Sequence, residues 1–258
     1  MVRPKKSLGQ HFLTDLHIAQ KIVSSISDDA VNVVEIGPGK GVLSQYFLQN
    51  KKLNMRYIET DRESVEYLNI KFPEITPNLI LADFLKYDLK ALFGEEKFCI
   101  VGNFPYNISS QIFFKTLDNK NQVHEVVGMV QKEVAERIAA PPGSKTYGIL
   151  SVLLQAYYTI EYLFTVKEGV FFPPPKVKSA IIRLKRNEVS SLECSDSDFK
   201  AIVKTAFNQR RKTLRNALST FSFDMTEEIA HLLTKRAEQL SVAEFVILTK
   251  ATGYHLSE

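Results

Sequence analysis

The sequence predicts an α/β fold, a parallel sheet with helices on both faces, followed by a small C-terminal all-α domain. Three observations carry this expectation. Helix-like and strand-like segments alternate from about residue 15 to 184. The first strand-like run ends in a glycine-rich turn, "EIGPGKG", that opens the next helix. After Arg186 the chain passes through a polar linker, "NEVSSLECSDSD", into helical periodicity that lasts to its end. The expected domains are 1–186 and 187–258.

Element by element, Thr14 or Asp15 can cap a helix whose apolar residues Leu16, Ile18, Ala19, Ile22, Val23 and Ile26 recur at helical spacing. "VNVVEI" (31–36) reads as a short buried strand, followed by the helix "GVLSQYFLQ". The strand "NMRYIE" (54–59), the helix "RESVEYLNIKF" and the strand "NLILA" (78–82) come next. Strand "FCIVG" leads into the loop "NFPYN", and a helix is expected near 109–117. Strand "HEVVGMVQ" (124–131), helix "KEVAERIA", a helix within 147–158 and the hairpin-like pair "IEYLFTV" and "SAIIRLK" complete the sheet region. In the second domain Phe199, Ile202, Val203, Ala206, Phe207, Leu214 and Ala217 share one helical side, while Lys200, Lys204, Arg211 and Arg215 fall within about 60° of one another. Arg210 lands on the apolar side, so the helix should break near Asn208 and restart.

The 258 residues are 45% hydrophobic, enough for a substantial core. Apolar stretches such as "VLLQAYY" stop well short of the ~18 residues that cross a bilayer, and the basic N-terminus lacks a following apolar segment. A soluble, cytoplasmic protein without membrane association is expected, and the polyanion reading below needs only a monomer. Cys99 and Cys194 lie on unlike elements and match no metal-ligand spacing, so neither a disulfide nor a metal site is expected. The net charge is only +4, yet three stretches free of acids hold the basic residues Arg3, Lys5 and Lys6; Lys176, Lys178, Arg183, Lys185 and Arg186; and Lys200, Lys204, Arg210, Arg211, Lys212 and Arg215. Such segregation points to a polyanionic partner.

In "EIGPGKG", Gly37, Gly39 and Gly41 stand where the chain must turn sharply and approach a ligand closely. A dinucleotide fingerprint would place its third glycine at Val42, so the spacing favours a smaller adenosine ligand with no pyrophosphate and disfavours a nicotinamide dehydrogenase. The second strand ends in Glu59, whose carboxylate can accept ribose hydroxyls, and the third in Asp83, able to accept from an adenine amine. Each feature alone is as readily a turn, a cap or a solvated acid. Three at successive strand ends on one sheet edge point to S-adenosylmethionine.

The "NFPY" loop follows the fourth strand. An exocyclic amine on adenine is a poor nucleophile because its lone pair is delocalised into the ring. If the side-chain oxygen of Asn103 and the carbonyl of Phe104 accept its hydrogens, that lone pair can aim at a sulfonium methyl. Pro105 restricts the backbone that presents the second carbonyl, and Tyr106 offers a face on which the base stacks. In "VFFPPPKVKS", Phe171 or Phe172 on a stiff proline run could sandwich an extruded base, with Lys176 and Lys178 on its phosphates.

The stretches "GQHFLTD", "VVEIGPGKGVLS", "IETDRE", "ADFL", "VGNFPYNISS", "YGILSVLLQ", "FFPPPKVKSAIIRL" and "FNQRRKTLRNAL" together resemble the ribosomal RNA adenine dimethyltransferases over nearly the whole chain. The last two point to the branch acting on the small ribosomal subunit rather than to the large-subunit resistance enzymes. The resemblance implies a Rossmann-like methyltransferase sheet and an enzyme that uses S-adenosylmethionine to dimethylate two adjacent adenosines in a hairpin near the 3′ end of small-subunit RNA, late in subunit assembly. It implies that His11, Leu13, Gly37, Gly39, Glu59, Asp83 and Asn103 meet the methyl donor. Tyr106 and Phe171 would hold the target base, and Lys176, Lys178, Arg211 and Arg215 the RNA. The family commonly has Asn where His11 stands and Leu where Phe104 stands. The other readings are large-subunit methylation and an RNA-binding assembly factor without turnover; intact Asn103, Tyr106, Glu59 and Asp83 speak against the second.

Overall fold

The computed structural model describes residues 2–252. In chain order they form β1 (Phe12–Leu13), α1 (Leu16–Val23), β2 (Asn32–Ile36), α2 (Ser44–Phe47), β3 (Asn54–Glu59), α3 (Arg62–Lys71), β4 (Leu79–Leu81), α4 (Lys90–Phe93), β5 (Phe98–Asn103), α5 (Ser109–Asp118) and β6 (Val123–Gln131). There follow α6 (Lys132–Ala139), α7 (Ile149–Gln155), β7 (Tyr158–Val166), β8 (Phe171–Phe172) and β9 (Ser179–Arg186), then α8 (Asp196–Asn208), α9 (Leu214–Ala217), α10 (Glu227–Leu232) and α11 (Val242–Lys250).

Seven strands make one sheet in the order β4-β3-β2-β5-β6-β9-β7. From β4 to β6 every neighbouring pair is parallel, and β9 runs antiparallel to β6. Strands covered on both faces read as continuous apolar runs, which is why β2 and β5 are buried almost throughout. Because β2 lies between β3 and β5, the chain leaves it in one direction and later returns on its other side. The carboxyl ends of β2, β3 and β5 therefore border a crevice at this reversal of strand order. Asp15, not Thr14, caps α1, accepting from the amides of His17 and Ile18. The expected helix "GVLSQYFLQ" shrinks to α2, because Gly37, Gly39 and Gly41 all adopt left-handed backbone and spend the first residues on turning.

Two compact units result, residues 1–135 with 160–186, and 136–159 with 187–258. The single cut expected after Arg186 thus differs from the structure over 136–159. The reason is α7, whose Leu150, Val152, Leu153 and Leu154 are all buried and which packs on α8 and α11. A helix apolar on this much of its circumference requires cover from several sides. In the second unit α8 ends at Asn208 and the chain resumes as α9, the break that Arg210 signals in the sequence. Arg210 turns to the carbonyl of Lys145 and toward Glu238. Arg211, in the turn, and Arg215, on α9, are exposed, so the basic stripe expected on one helix is divided between two elements.

Candidate active site

The carboxyl edge of the sheet opens into a cleft of about 690 Å³, partly open to solvent. Its walls include Gly37, Gly39, Glu59, Asp83, Asn103, Phe104, Pro105 and Tyr106, with His11 from the N-terminal segment. Residues far apart in sequence converge because parallel strands end at a common edge.

The glycine turn is obligatory at two positions for steric as well as dihedral reasons. A Cβ on Gly39 would stand 2.9 Å from the Phe12 ring, and one on Gly41 would stand 2.4 Å from that of Phe72. The carboxylate of Glu59 is buried and accepts one backbone bond on each oxygen, from Gly39 N and Asp61 N, both at 2.9 Å. Burial pushes this carboxyl up, against the lowering effect of those amides. Each oxygen retains a second lone pair, so Glu59 both shapes the turn and can still accept a ligand hydroxyl. Asp83, half-buried, accepts from Leu85 N at 2.9 Å and so closes the turn beyond β4.

Asn103 Nδ2 donates to the main-chain carbonyl of His11 at 2.8 Å. This bond fixes the amide orientation, since only the NH2 end can donate, and among the described residues no donor engages Oδ1. The Phe104 amide continues the ladder to Met129 O at 3.0 Å, while among the described residues no donor engages its carbonyl. Two unspent acceptors, Asn103 Oδ1 and Phe104 O, thus belong to consecutive residues lining the cleft. The Phe104 ring is buried edge-on to Phe113, with centroids 6.0 Å apart. It lies over Gly102 and Gly128, which are paired across β5 and β6, and a Cβ on Gly128 would meet it at 2.4 Å. This accommodation escaped the sequence reading, although a glycine inside "HEVVGMVQ" is the recognised sign of close approach to a strand.

The Tyr106 hydroxyl hydrogen-bonds with Ser179 Oγ, and burial raises the phenol pKa against that bond. A second cavity, of about 930 Å³ and open to solvent, lies on this side, bounded by Lys6, Gly9, Gln10, His11, Tyr106 and Gln131, and by Pro173 to Val177. The N-terminal segment is tied to α3 by an ion pair between Lys5 and Asp61. Burial disfavours the Asp61 carboxylate, but hydrogen bonds from Lys5 and Ser64 outweigh it and hold the carboxyl below its usual range.

Two residues expected at the site turn their side chains into the core. β1 and β8 pair antiparallel, Leu13 opposite Phe171 and Phe12 opposite Phe172. Side chains alternate along a strand, so Leu13 and Phe171, each 4% exposed, point together into the core, while Phe172 is 58% exposed. The Phe171 ring is therefore unavailable for stacking on a base, and Leu13 offers a ligand only its main chain. Lys176 and Lys178 are exposed as expected.

Known proteins resemble this chain along its length. The ribosomal RNA adenine dimethylase family matches residues 1–252. A protein of Parabacteroides distasonis named Ribosomal RNA small subunit methyltransferase A is 54% identical over all of this chain and 97% of its own length. One of the same name from Cytophaga hutchinsonii is 56% identical over 96% of each. Among solved structures, a dimethyladenosine transferase from Plasmodium falciparum superposes with a TM-score of 0.78 over 95% of this chain and all of its own, at 24% identity. The 23S rRNA methyltransferase ErmE gives 0.69 over 93% and 99%, at 22% identity. At such identities the likeness concerns the fold, a Rossmann-like sheet flanked by helices. With the family matched from end to end and relatives above half identity along the entire chain, this protein belongs to the ribosomal RNA adenine dimethylases.

Proposed function

We propose that the chain dimethylates the exocyclic amines of two adjacent adenosines in the 3′-terminal hairpin of small-subunit ribosomal RNA, with S-adenosylmethionine as methyl donor, acting in the cytoplasm as a monomer on the assembling small subunit. Support for the choice of subunit comes from relatives named Ribosomal RNA small subunit methyltransferase A at 54–56% identity. The single observation that carries the chemistry is the pair of free acceptors at Asn103 Oδ1 and Phe104 O, the first oriented by the His11 carbonyl.

The residues present fit the donor. The left-handed turn at Gly37 has open space where a side chain would stand, and Glu59 and Asp83 border the same cleft with acceptor capacity remaining. These residues, with Gly39, Asn103 and the main chain of His11, would hold S-adenosylmethionine, which when bound supplies an electrophilic methyl group. In this reading Asn103 and Phe104 accept the two hydrogens of the amine and draw its nitrogen toward tetrahedral geometry, freeing the lone pair. Pro105 fixes the backbone between them and the stacking face of Tyr106. The methylated nitrogen releases its proton to water, so no strong base is required of the loop. Lys176, Lys178, Arg211 and Arg215, all exposed, contribute phosphate contacts.

Asn103→Ala tests this directly. Removing one preorganised partner of the transition state should lower turnover by about 10²-fold or more, while the donor's Kd weakens far less because the glycine turn, Glu59 and Asp83 still hold it. Turnover within a few-fold of the parent would remove Asn103 from the chemistry.

A further inference from the structure

The His11 ring occupies an unusual place. The ribbon of β1 and β8 brings residue 11 beside residue 173, and His11 Nδ1 lies 2.8 Å from the Pro173 carbonyl. A carbonyl only accepts, so Nδ1 carries the hydrogen. The ring is stacked on Tyr106, with centroids 5.4 Å apart and planes inclined by 28°. It also lines both the cleft and the adjoining cavity. A flat heteroaromatic ring thus stands between Tyr106 and the proline run, with an N–H satisfied by one and a face satisfied by the other.

We infer that the His11 side chain is a removable plug of the target-base subsite, holding the place of the adenine on Tyr106 until RNA displaces it. The inference rests on the proposed adenine chemistry and adds to it a gating residue. Two features favour displacement over a permanent third layer. Both attachments of the ring are side-chain contacts that a χ1 rotation releases together, at a half-buried position. The main-chain carbonyl of His11, which orients Asn103, need not move when the ring does. The plug keeps the Tyr106 face and the Pro173 carbonyl satisfied in the free protein. Base entry then exchanges one stack for another instead of opening a void.

The apparent affinity for RNA is the intrinsic affinity reduced by the fraction of molecules with the plug withdrawn. His11→Ala should therefore lower KM for RNA by about 3- to 10-fold, a range set by one stack and one hydrogen bond, with kcat held or raised. His11→Asn, which keeps a donor for Pro173 but no ring, should fall between. Base entry is read independently with RNA carrying 2-aminopurine at the target position. Its fluorescence change on binding should saturate at lower protein concentration with His11→Ala than with the parent. A raised KM, a kcat that falls with unchanged KM, or a donor Kd weakened by the same factor as kcat/KM would overturn the plug in favour of a fixed support for Tyr106 or for the donor. Absence of adenine methylation by the parent protein would instead refute the proposed activity, a result visible before any variant is made.

Discussion

Gly128 stands opposite Gly102 where β6 pairs with β5, and the Phe104 ring covers both. Adding one methyl in Gly128→Ala would place a Cβ 2.4 Å from Phe104 Cε2 and 3.0 Å from Cδ2 and Cζ, far inside contact distance. Neither strand can retreat, since both are central in the sheet, and the ring is wedged against Phe113. Overpacking of this kind costs about 1–3 kcal/mol. Because the ring and the carbonyl proposed to accept from the amine belong to one residue, its displacement also moves that acceptor, and a shift near 1 Å can cost about 10² in rate. Phe104→Leu alone opens space and should cost about 1–2 kcal/mol, with little effect on turnover because the proposed chemistry uses only the backbone of this residue. Combined, the two should compensate, since leucine lacks the ring atoms that the new Cβ would strike. The expected coupling is about 1–2 kcal/mol in favour of the double variant, with turnover recovering toward that of Phe104→Leu. Urea unfolding at constant m-value measures the first quantity and methyl incorporation the second. Additive stabilities within about 0.5 kcal/mol, or a double variant as slow as Gly128→Ala, would refute the wedge.

Two further outcomes follow from buried residues around the site. Glu35, fully enclosed below the glycine turn, accepts from Ser44 Oγ at 2.7 Å, and burial pushes its carboxyl up to about 8. The folded chain holds this proton where the unfolded chain, near 4.5, has released it. Stability from this group is thus complete below about pH 4.5 and declines as pH rises toward 8. Glu35→Gln, which keeps the acceptor, should remove that decline and be more stable than the parent by a few kcal/mol at about pH 8.5. Thermal unfolding at about pH 5 and about pH 8.5 checks this, and an unchanged pH dependence would locate the proton elsewhere. Phe171→Ala should destabilise the fold by about 3–5 kcal/mol, whereas Phe172→Ala should leave unfolding nearly unchanged and lower kcat/KM for RNA. Unfolding midpoints and RNA kinetics of the two variants would show the roles reversed if Phe171 were the base contact.

Most of the sheet, and which residues stand along its carboxyl edge, were legible in the sequence, because both depend on local pattern. β3 and α6 fall where alternation and helical spacing place them, and Gly37, Glu59 and Asn103 end strands or open turns that the sequence marks on its own. The break after Asn208 was visible too, since Arg210 could not continue an apolar face. What remained hidden depends on contacts across large sequence separations. The β1 and β8 ribbon has two residues per strand, too short for any periodicity, yet it determines that Leu13 and Phe171 face inward, that Phe172 faces solvent, and that His11 meets Pro173. The assignment of 136–159 to the second unit follows from what α7 packs against, which its uniformly apolar sequence leaves undetermined. The sequence by itself therefore determined which residues stand at the strand ends and turns, since these are encoded by neighbouring residues. Only the tertiary structure decided how Asn103 is oriented, what space Phe104 fills and which ring covers Tyr106, since those depend on atoms brought together by folding from opposite ends of a domain.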